Sequence, residues 1–204
     1  MNLVEQSLSL LNNGDIFPRK MYFDQIDRIL QTQQICFIDG KRRVWKWYVI
    51  MGYLQNLQLP MGKVFYLHKE LDLRNEINDV LALDHLFCMF QEKYGNPEYL
   101  VLDELQEIVW WERFIKAKFT EKRYKIILSW SNSQIILQVL NTHLTWSFLS
   151  CTIRPLNYPE FIKYSNQKFW LRAFFNYLKI GWMPENVNKR SVLGEETSVP
   201  VKGN

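Results

Sequence analysis

Five short runs of this chain are apolar almost throughout: ICFID (35–39), KVFYLH (63–68), EYLVLD (98–103), KIILS (125–129) and LSCTIR (149–154). A strand with one wet face alternates between apolar and polar residues; a run without alternation has to be covered on both faces. Between the runs lie longer stretches with apolar residues at helical spacing. Tyr22 to Leu30 form one, Val44, Trp47, Tyr48 and Met51 a second, and Val80, Leu83, Phe87, Phe90 and Tyr94 a third. Spacings of roughly 20–35 residues leave room for the crossover that parallel pairing requires. The pattern predicts an α/β fold: a parallel sheet covered by helices on both faces.

Composition narrows the setting. Apolar residues make up 48% of the chain and charged residues 23%, as in ordinary soluble domains. No run approaches the ~18 apolar residues of a membrane span, and no membrane partner is expected. The net charge of +4 is mild and comes without a long basic run, so it permits nucleic acid as a partner without arguing for it. Cys36, Cys88 and Cys151 are scattered in apolar surroundings without CxxC spacing. They read as buried thiols in a reducing compartment. The first residues, MNLVEQSLSLLNNGD, lack a basic start and a long apolar core, so they make a poor signal peptide. A cytoplasmic location follows. After Pro184 the chain turns polar and loses its periodicity, so residues 1–185 read as one domain and 186–204 as a frayed tail.

Three strand ends carry polar residues of chemical interest. GKRRVWKW follows the first strand and opens a helix, with Gly40 and Lys46 in the register of a phosphate-binding loop. Such a loop needs glycines so that backbone N–H groups turn inward, a lysine for the phosphates, and then a hydroxyl for magnesium. Here Trp45 and Trp47 take the positions of the second glycine and the hydroxyl. The second element is EYLVLDELQ, in which an apolar strand ends in Asp103 and Glu104. The first acid of such a pair can hold magnesium and the second can orient an attacking water. The third is KIILSWSNSQII, whose Ser131, Asn132 and Ser133 either sense a terminal phosphate or cap the following helix. Open α/β sheets bind ligands at the carboxyl ends of their strands, where all three elements fall.

In this order the elements resemble the prokaryotic AAA-like P-loop ATPases that carry a C-terminal domain of unknown function. Members show a GxRRVGK loop followed by Ser or Thr, then LDEIQ with a WE pair, a GSxS strand end, an LxGR step, PLsfxEF and GGxPE. This chain has GKRRVWKW, LDELQEIVWWE, SWSNS, LTWSF, PLNYPEF and GWMPE in the same order, across about residues 19–185. The resemblance implies a P-loop NTPase-type sheet that takes ATP and Mg²⁺. It implies phosphate contacts at Gly40, Arg42, Arg43 and Lys46, metal and water handling at Asp103 and Glu104, and sensing near Ser131 and Asn132. It also implies a further domain beyond the GGxPE position, and a protein partner or self-association.

The departures from the family pattern are as specific as the matches. Trp45, Trp130, Trp146 and Trp182 stand where glycines are expected, Trp47 replaces the hydroxyl, and Ser147 replaces an arginine. A side chain at positive φ costs about 1–2 kcal/mol, and an indole in the loop would occupy the phosphate cradle. An indole offers only an N–H donor and cannot ligate a cation. The expectation is an ATP-binding domain with impaired hydrolysis. The alternatives are a nucleic-acid-binding module, since KRRVWKW interleaves basic and aromatic groups, or a catalytically silent scaffold. Other clusters carry less. His85 and Cys88 lie three apart on a helix without a second pair. His68, Glu70 and Asp72 read as a solvated strand exit, and the aromatics between Tyr164 and Tyr177 as a helix packed on the core.

Overall fold

The computed structural model describes residues 19–41, 44, 46–130, 148–165 and 171–180. The chain divides into two compact units, residues 1–153 and 154–204. In the first, helix α1 (Phe23–Gln31) leads into strand β1 (Ile35–Gly40), followed by α2 (Lys46–Leu57), β2 (Val64–His68) and α3 (Val80–Tyr94). Then come β3 (Tyr99–Asp103), α4 (Trp111–Thr120), β4 (Lys125–Ser129) and β5 (Phe148–Ile153). The five apolar runs thus form the five strands. All pairings are parallel, in the order β2-β3-β4-β1-β5.

Both faces of the sheet are covered, which is why the strands do not alternate. On one face α1 and α2 pack through Tyr53, whose ring meets Phe23 and Tyr99 edge-on at 5.8 and 6.4 Å. On the other face Phe65 meets Phe87 and Phe90 of α3 at 5.1 and 5.3 Å, and Phe87 meets Phe114 of α4 at 5.6 Å. Asp79 caps α3 by accepting from the Ala82 N–H at 2.9 Å, and Gly95 ends it at φ 80°. This satisfies orphan groups at both helix ends.

The stretch after β2 departs from its reading as a solvated exit. Lys69 to Leu71 form a single 3-10 turn, and the Lys69 side chain is buried. Lys69 Nζ donates to Asp72 Oδ2 and to Asn75 Oδ1, each at 2.8 Å. The Asp72 carboxylate also accepts from the Glu76 and Ile77 backbone N–H groups at 2.9 and 2.8 Å. Burial raises the Asp72 pKa, but the hydrogen bonds from Lys69, Ile77 and Glu76 outweigh it and the net shift is downward. A carboxyl whose folded pKa is depressed adds stability above its unfolded pKa of about 3.9, and that stability is lost as pH falls through the folded value. Asp72→Asn is therefore expected to cost about 1–2 kcal/mol at neutral pH by weakening these charge-assisted bonds. Urea unfolding of both proteins checks this, and the gap between them should close below about pH 4.

The second unit contains α5 (Tyr158–Tyr164) and α6 (Leu171–Ile180). Here the PLNYPEF stretch acquires a physical meaning. Asn157 and Glu160 form a reciprocal capping box at the start of α5, with a proline in its first turn. The flanking Leu156 and Phe161 are both buried and pack together as a hydrophobic staple. Tyr177 of α6 packs on Phe161 at 5.3 Å and donates its hydroxyl to the Leu156 carbonyl at 3.0 Å. The aromatic stretch is thus only partly core, because Phe175 is exposed. The polar stretch 186–204 lies outside the described residues.

Candidate functional site

The pairing register brings the polar strand ends together. His68 lies opposite Asp103, Asp103 opposite Ser129, and Ser129 opposite Ile38. Across parallel strands such partners share a face, and this is the face that α2 covers. Lys46 is the first residue of α2. It is buried, and its Nζ donates to the Gly40 carbonyl at 3.2 Å, so the lysine closes back onto the strand that precedes its loop. Burial pushes the Lys46 pKa down; Glu104, Asp103 and Asp39 act in the opposite sense without cancelling it. Gly40, Lys46, Asp103 and Glu104 therefore converge at the carboxyl edge of the sheet.

The acids are buried as well: Asp103 is 4% exposed and Glu104 7%. Glu104 adopts left-handed backbone angles, φ 60° and ψ 44°. A non-glycine residue held there is strained and persists only where its surroundings determine it. Its N–H donates to the Ser129 carbonyl at 3.1 Å, and its Oε2 accepts from Gln106 Nε2 at 2.6 Å. Arg42, Arg43, Ser131 and Asn132, together with Trp45, Trp146, Ser147 and Trp182, lie outside the described residues.

Several members of this cluster escape the sequence reading. His68 Nδ1 lies 3.3 Å from Asp103 Oδ2. Burial alone would lower the imidazole pKa, but the contact and charge of Asp103, with Glu70 and Glu104 beyond, raise it overall. The signal was present: His68 ends an apolar run as Asp103 does, but only the β2–β3 register joins them. Tyr66 is wholly buried. Its hydroxyl pKa is driven well up, by burial first and then by the Asp103 charge, while the Trp47 indole N–H acts in the opposite direction. Trp47 Nε1, Tyr66 Oη and Ser129 Oγ are all buried without a well-formed hydrogen bond. Trp47 itself is half-buried and meets Tyr48 edge-on at 4.7 Å.

Trp130, at a position where the family pattern has glycine, is 2% exposed and packs on Phe37 at 6.3 Å and Trp111 at 4.7 Å. It fills the layer beside α4, so this tryptophan acts as a core residue. Among the described residues no group of three or more His, Cys, Asp or Glu side chains is arranged to hold a metal ion. Cys36 and Cys151 are buried, with Cys151 pushed up to about 12 by burial. Cys88 is exposed on α3, contrary to its reading as a buried thiol, because it falls on the outer face of that helix. No helix among the described residues is long and apolar enough to cross a membrane.

Magnesium takes oxygen ligands in near-octahedral geometry. Asp103, Glu104 and the unpartnered Ser129 hydroxyl suit such an ion in charge and kind. The helix side does not. Trp47 presents an N–H that can only donate, and His68 already lies against Asp103. The residues present do not fit a magnesium ion shared between helix and strand.

Comparison with known proteins places this arrangement. The profile of the AAA domain family matches residues 32–162, more than half of the chain. An uncharacterised protein of Haemophilus influenzae is 25% identical over 182 residues, which cover 84% of this chain and 45% of that protein. An uncharacterised protein of Methanocaldococcus jannaschii is 28% identical over 118 residues, covering 52% of this chain and 26% of that protein. The chain thus spans less than half the length of these relatives. Among solved structures, AMPPCP-bound DnaA from Aquifex aeolicus superposes with a TM-score of 0.58 at 12% identity, covering 88% of this chain and 60% of DnaA. At that identity the likeness is one of fold, that of the AAA-like P-loop ATPases. With the family match across β1 to α5, the chain belongs to the AAA domain family.

Proposed function

We propose that this domain binds a nucleoside triphosphate, ATP in the first instance, at the carboxyl edge of its sheet and hydrolyses it poorly or not at all. One observation carries the reading: a buried lysine at the first turn of α2 faces buried acids at the end of β3. That is the charge arrangement of a phosphoryl-transfer site. Lys46 would release the Gly40 carbonyl and bind the phosphates, helped by the positive end of the α2 dipole. Gly40 leaves room for the chain beside it, and Arg42 and Arg43 would add charge. Asp103 and Glu104 would polarise and orient water, and Ser131 and Asn132 would contact the terminal phosphate.

The impairment rests on Trp47. Its indole meets Tyr48 edge-on and brings its N–H near the Tyr66 hydroxyl, where an intact site needs an oxygen ligand. Binding should therefore be weak and nearly indifferent to Mg²⁺. The test is titration of labelled ATP with and without Mg²⁺, beside Lys46→Ala. Affinity in the high-micromolar range or weaker, unchanged by the metal and lost in the variant, is the expected result. Tight, magnesium-dependent binding would overturn the impaired-site reading, and no binding at all would overturn the nucleotide reading. A nucleic-acid role for KRRVWKW is the lesser alternative, because Trp47 is half-buried and already packs against Tyr48. Steeply salt-dependent binding of single-stranded DNA would revive it. A soluble cytoplasmic setting, with a protein partner or a second copy of the chain, is part of the same proposal, as are the bounds 1–185 for the domain.

A further inference from the structure

The opposite edge of the sheet, where the strands begin, holds a cavity between two helix-to-strand connections. α1 runs into β1 through residues 32–34, and α4 into β4 through residues 121–124. β1 and β4 are neighbours, with Cys36 opposite Ile127, so the two connections lie side by side. Each leaves its helix through a residue with left-handed backbone, Gln33 at φ 57° and Lys122 at φ 52°. Their N–H groups donate to the Leu30 and Phe119 carbonyls at 3.1 Å, which fixes where each connection starts. The cavity between them measures about 330 Å³, at the small end of the range for small-molecule sites. Leu30 and Ile126, both buried, give it apolar surface. The first connection contributes Gln31, Gln33 and Gln34, and the second Lys122, Arg123 and Lys125.

We propose that this cavity binds a small phosphate-bearing molecule, at a site separate from the nucleotide edge. Among the described residues that line it, none is acidic. Lys125 is held by Glu98, its Nζ donating to Oε1 at 2.8 Å, so its charge is already balanced. Lys122 and Arg123 are exposed and take part in none of the ion pairs among the described residues. The Arg123 guanidinium lies over the Tyr124 ring at 5.6 Å, and that ring is anchored edge-on against Phe87 at 5.9 Å. A basic residue just past a helix is an ordinary complement to the dipole. That role requires neither a cavity nor three amides facing it from a second helix. Each glutamine brings two N–H donors, and a phosphate group spreads its acceptor oxygens in three directions. It can therefore take donors from both connections at once, whereas a planar carboxylate serves one side. A nucleic-acid backbone would need a basic stripe to follow; here the cations belong to one connection, flanked by Glu98 and Glu121. The negative ends of α1 and α4 oppose an anion, so binding should need both Lys122 and Arg123.

The experiment titrates inorganic tripolyphosphate into the full chain carrying Lys46→Ala, which removes the lysine of the other edge, in a calorimeter at low salt. One molecule should bind per chain. Adding Lys122→Gln and Arg123→Gln together should weaken binding at least about tenfold, and adding Gln33→Ala and Gln34→Ala instead should do the same. These side chains are exposed or half-buried, so the variants keep the packed core, which circular dichroism checks. In NMR spectra the backbone amides of Gln33 and Lys122 should shift on binding while that of Gly40 stays in place. Absence of binding, or binding that the Lys122→Gln, Arg123→Gln pair leaves unchanged, overturns the proposal. Citrate binding as tightly as tripolyphosphate overturns the assignment to phosphate. Single-stranded DNA binding more tightly than tripolyphosphate through the same residues overturns it in favour of a nucleic-acid groove. All of these results are obtained without Lys46, so none of them bears on the nucleotide reading.

Discussion

The Trp45→Gly, Trp47→Thr protein is expected to bind ATP at least about a hundredfold more tightly than the natural chain, and only when Mg²⁺ is present. Glycine at position 45 frees backbone N–H groups to turn toward the phosphates, and threonine at 47 supplies an oxygen ligand for the metal. Hydrogen bonds to charged groups are worth about 1.5–3 kcal/mol each, and each 1.4 kcal/mol is about tenfold in affinity, so two such gains reach a hundredfold. A cost opposes them. The Trp47 indole is half-buried and meets Tyr48 edge-on, so its removal leaves apolar surface uncovered. Deleting a fully buried tryptophan costs about 3–5 kcal/mol, and this one should cost less. Turnover should remain slow, because Ser147 stands where the family has an arginine, and loss of such a charge costs about 10³–10⁵ where one operates. Titration with and without metal checks the affinity, and circular dichroism checks that the variant is folded. An affinity unchanged within threefold in a folded protein would show that the two tryptophans do not block the site.

How far the sequence alone leads is clearest at the strand ends. ICFID, KVFYLH, EYLVLD, KIILS and LSCTIR could be read as strands because a sheet covered on both faces leaves no wet side to interrupt them. Gly40, Lys46, Asp103 and Glu104 could be read because each closes or follows such a run at a fixed spacing. His68 could not. Its partner Asp103 is 35 positions away in the chain, and only the pairing of Val64 with Tyr99 decides that the two end side by side. The same holds for Trp130: as a residue type at a glycine position it signals damage, but in the fold it fills a space between Phe37 and Trp111. Asp72 looked solvated because charge usually is. A 3-10 turn buries it together with Lys69, and that turn depends on backbone N–H groups that periodicity does not reveal.

Gly40 offers the largest expected effect on stability, and a control for it exists in the same chain. Its φ is 147°, a conformation that side chains rarely adopt. A Cβ built on it would lie 2.4 Å from the Ile153 carbonyl oxygen, on the backbone of the strand with which it pairs. A backbone atom in a ladder cannot swing aside as a side chain can, so β1 and β5 would have to part at their carboxyl ends. Backbone strain of about 1–3 kcal/mol and an overpacking cost of about 1–3 kcal/mol together give a loss of roughly 2–6 kcal/mol for Gly40→Ala. Gly95 also has positive φ, 80°, yet a Cβ there meets nothing within 4 Å. Gly95→Ala therefore carries the backbone term alone, about 1–3 kcal/mol. The difference between the two variants in urea unfolding isolates the contact with Ile153. If Gly40→Ala costs no more than Gly95→Ala, β5 yields at its end, and the contact with Ile153 does not make glycine necessary at position 40.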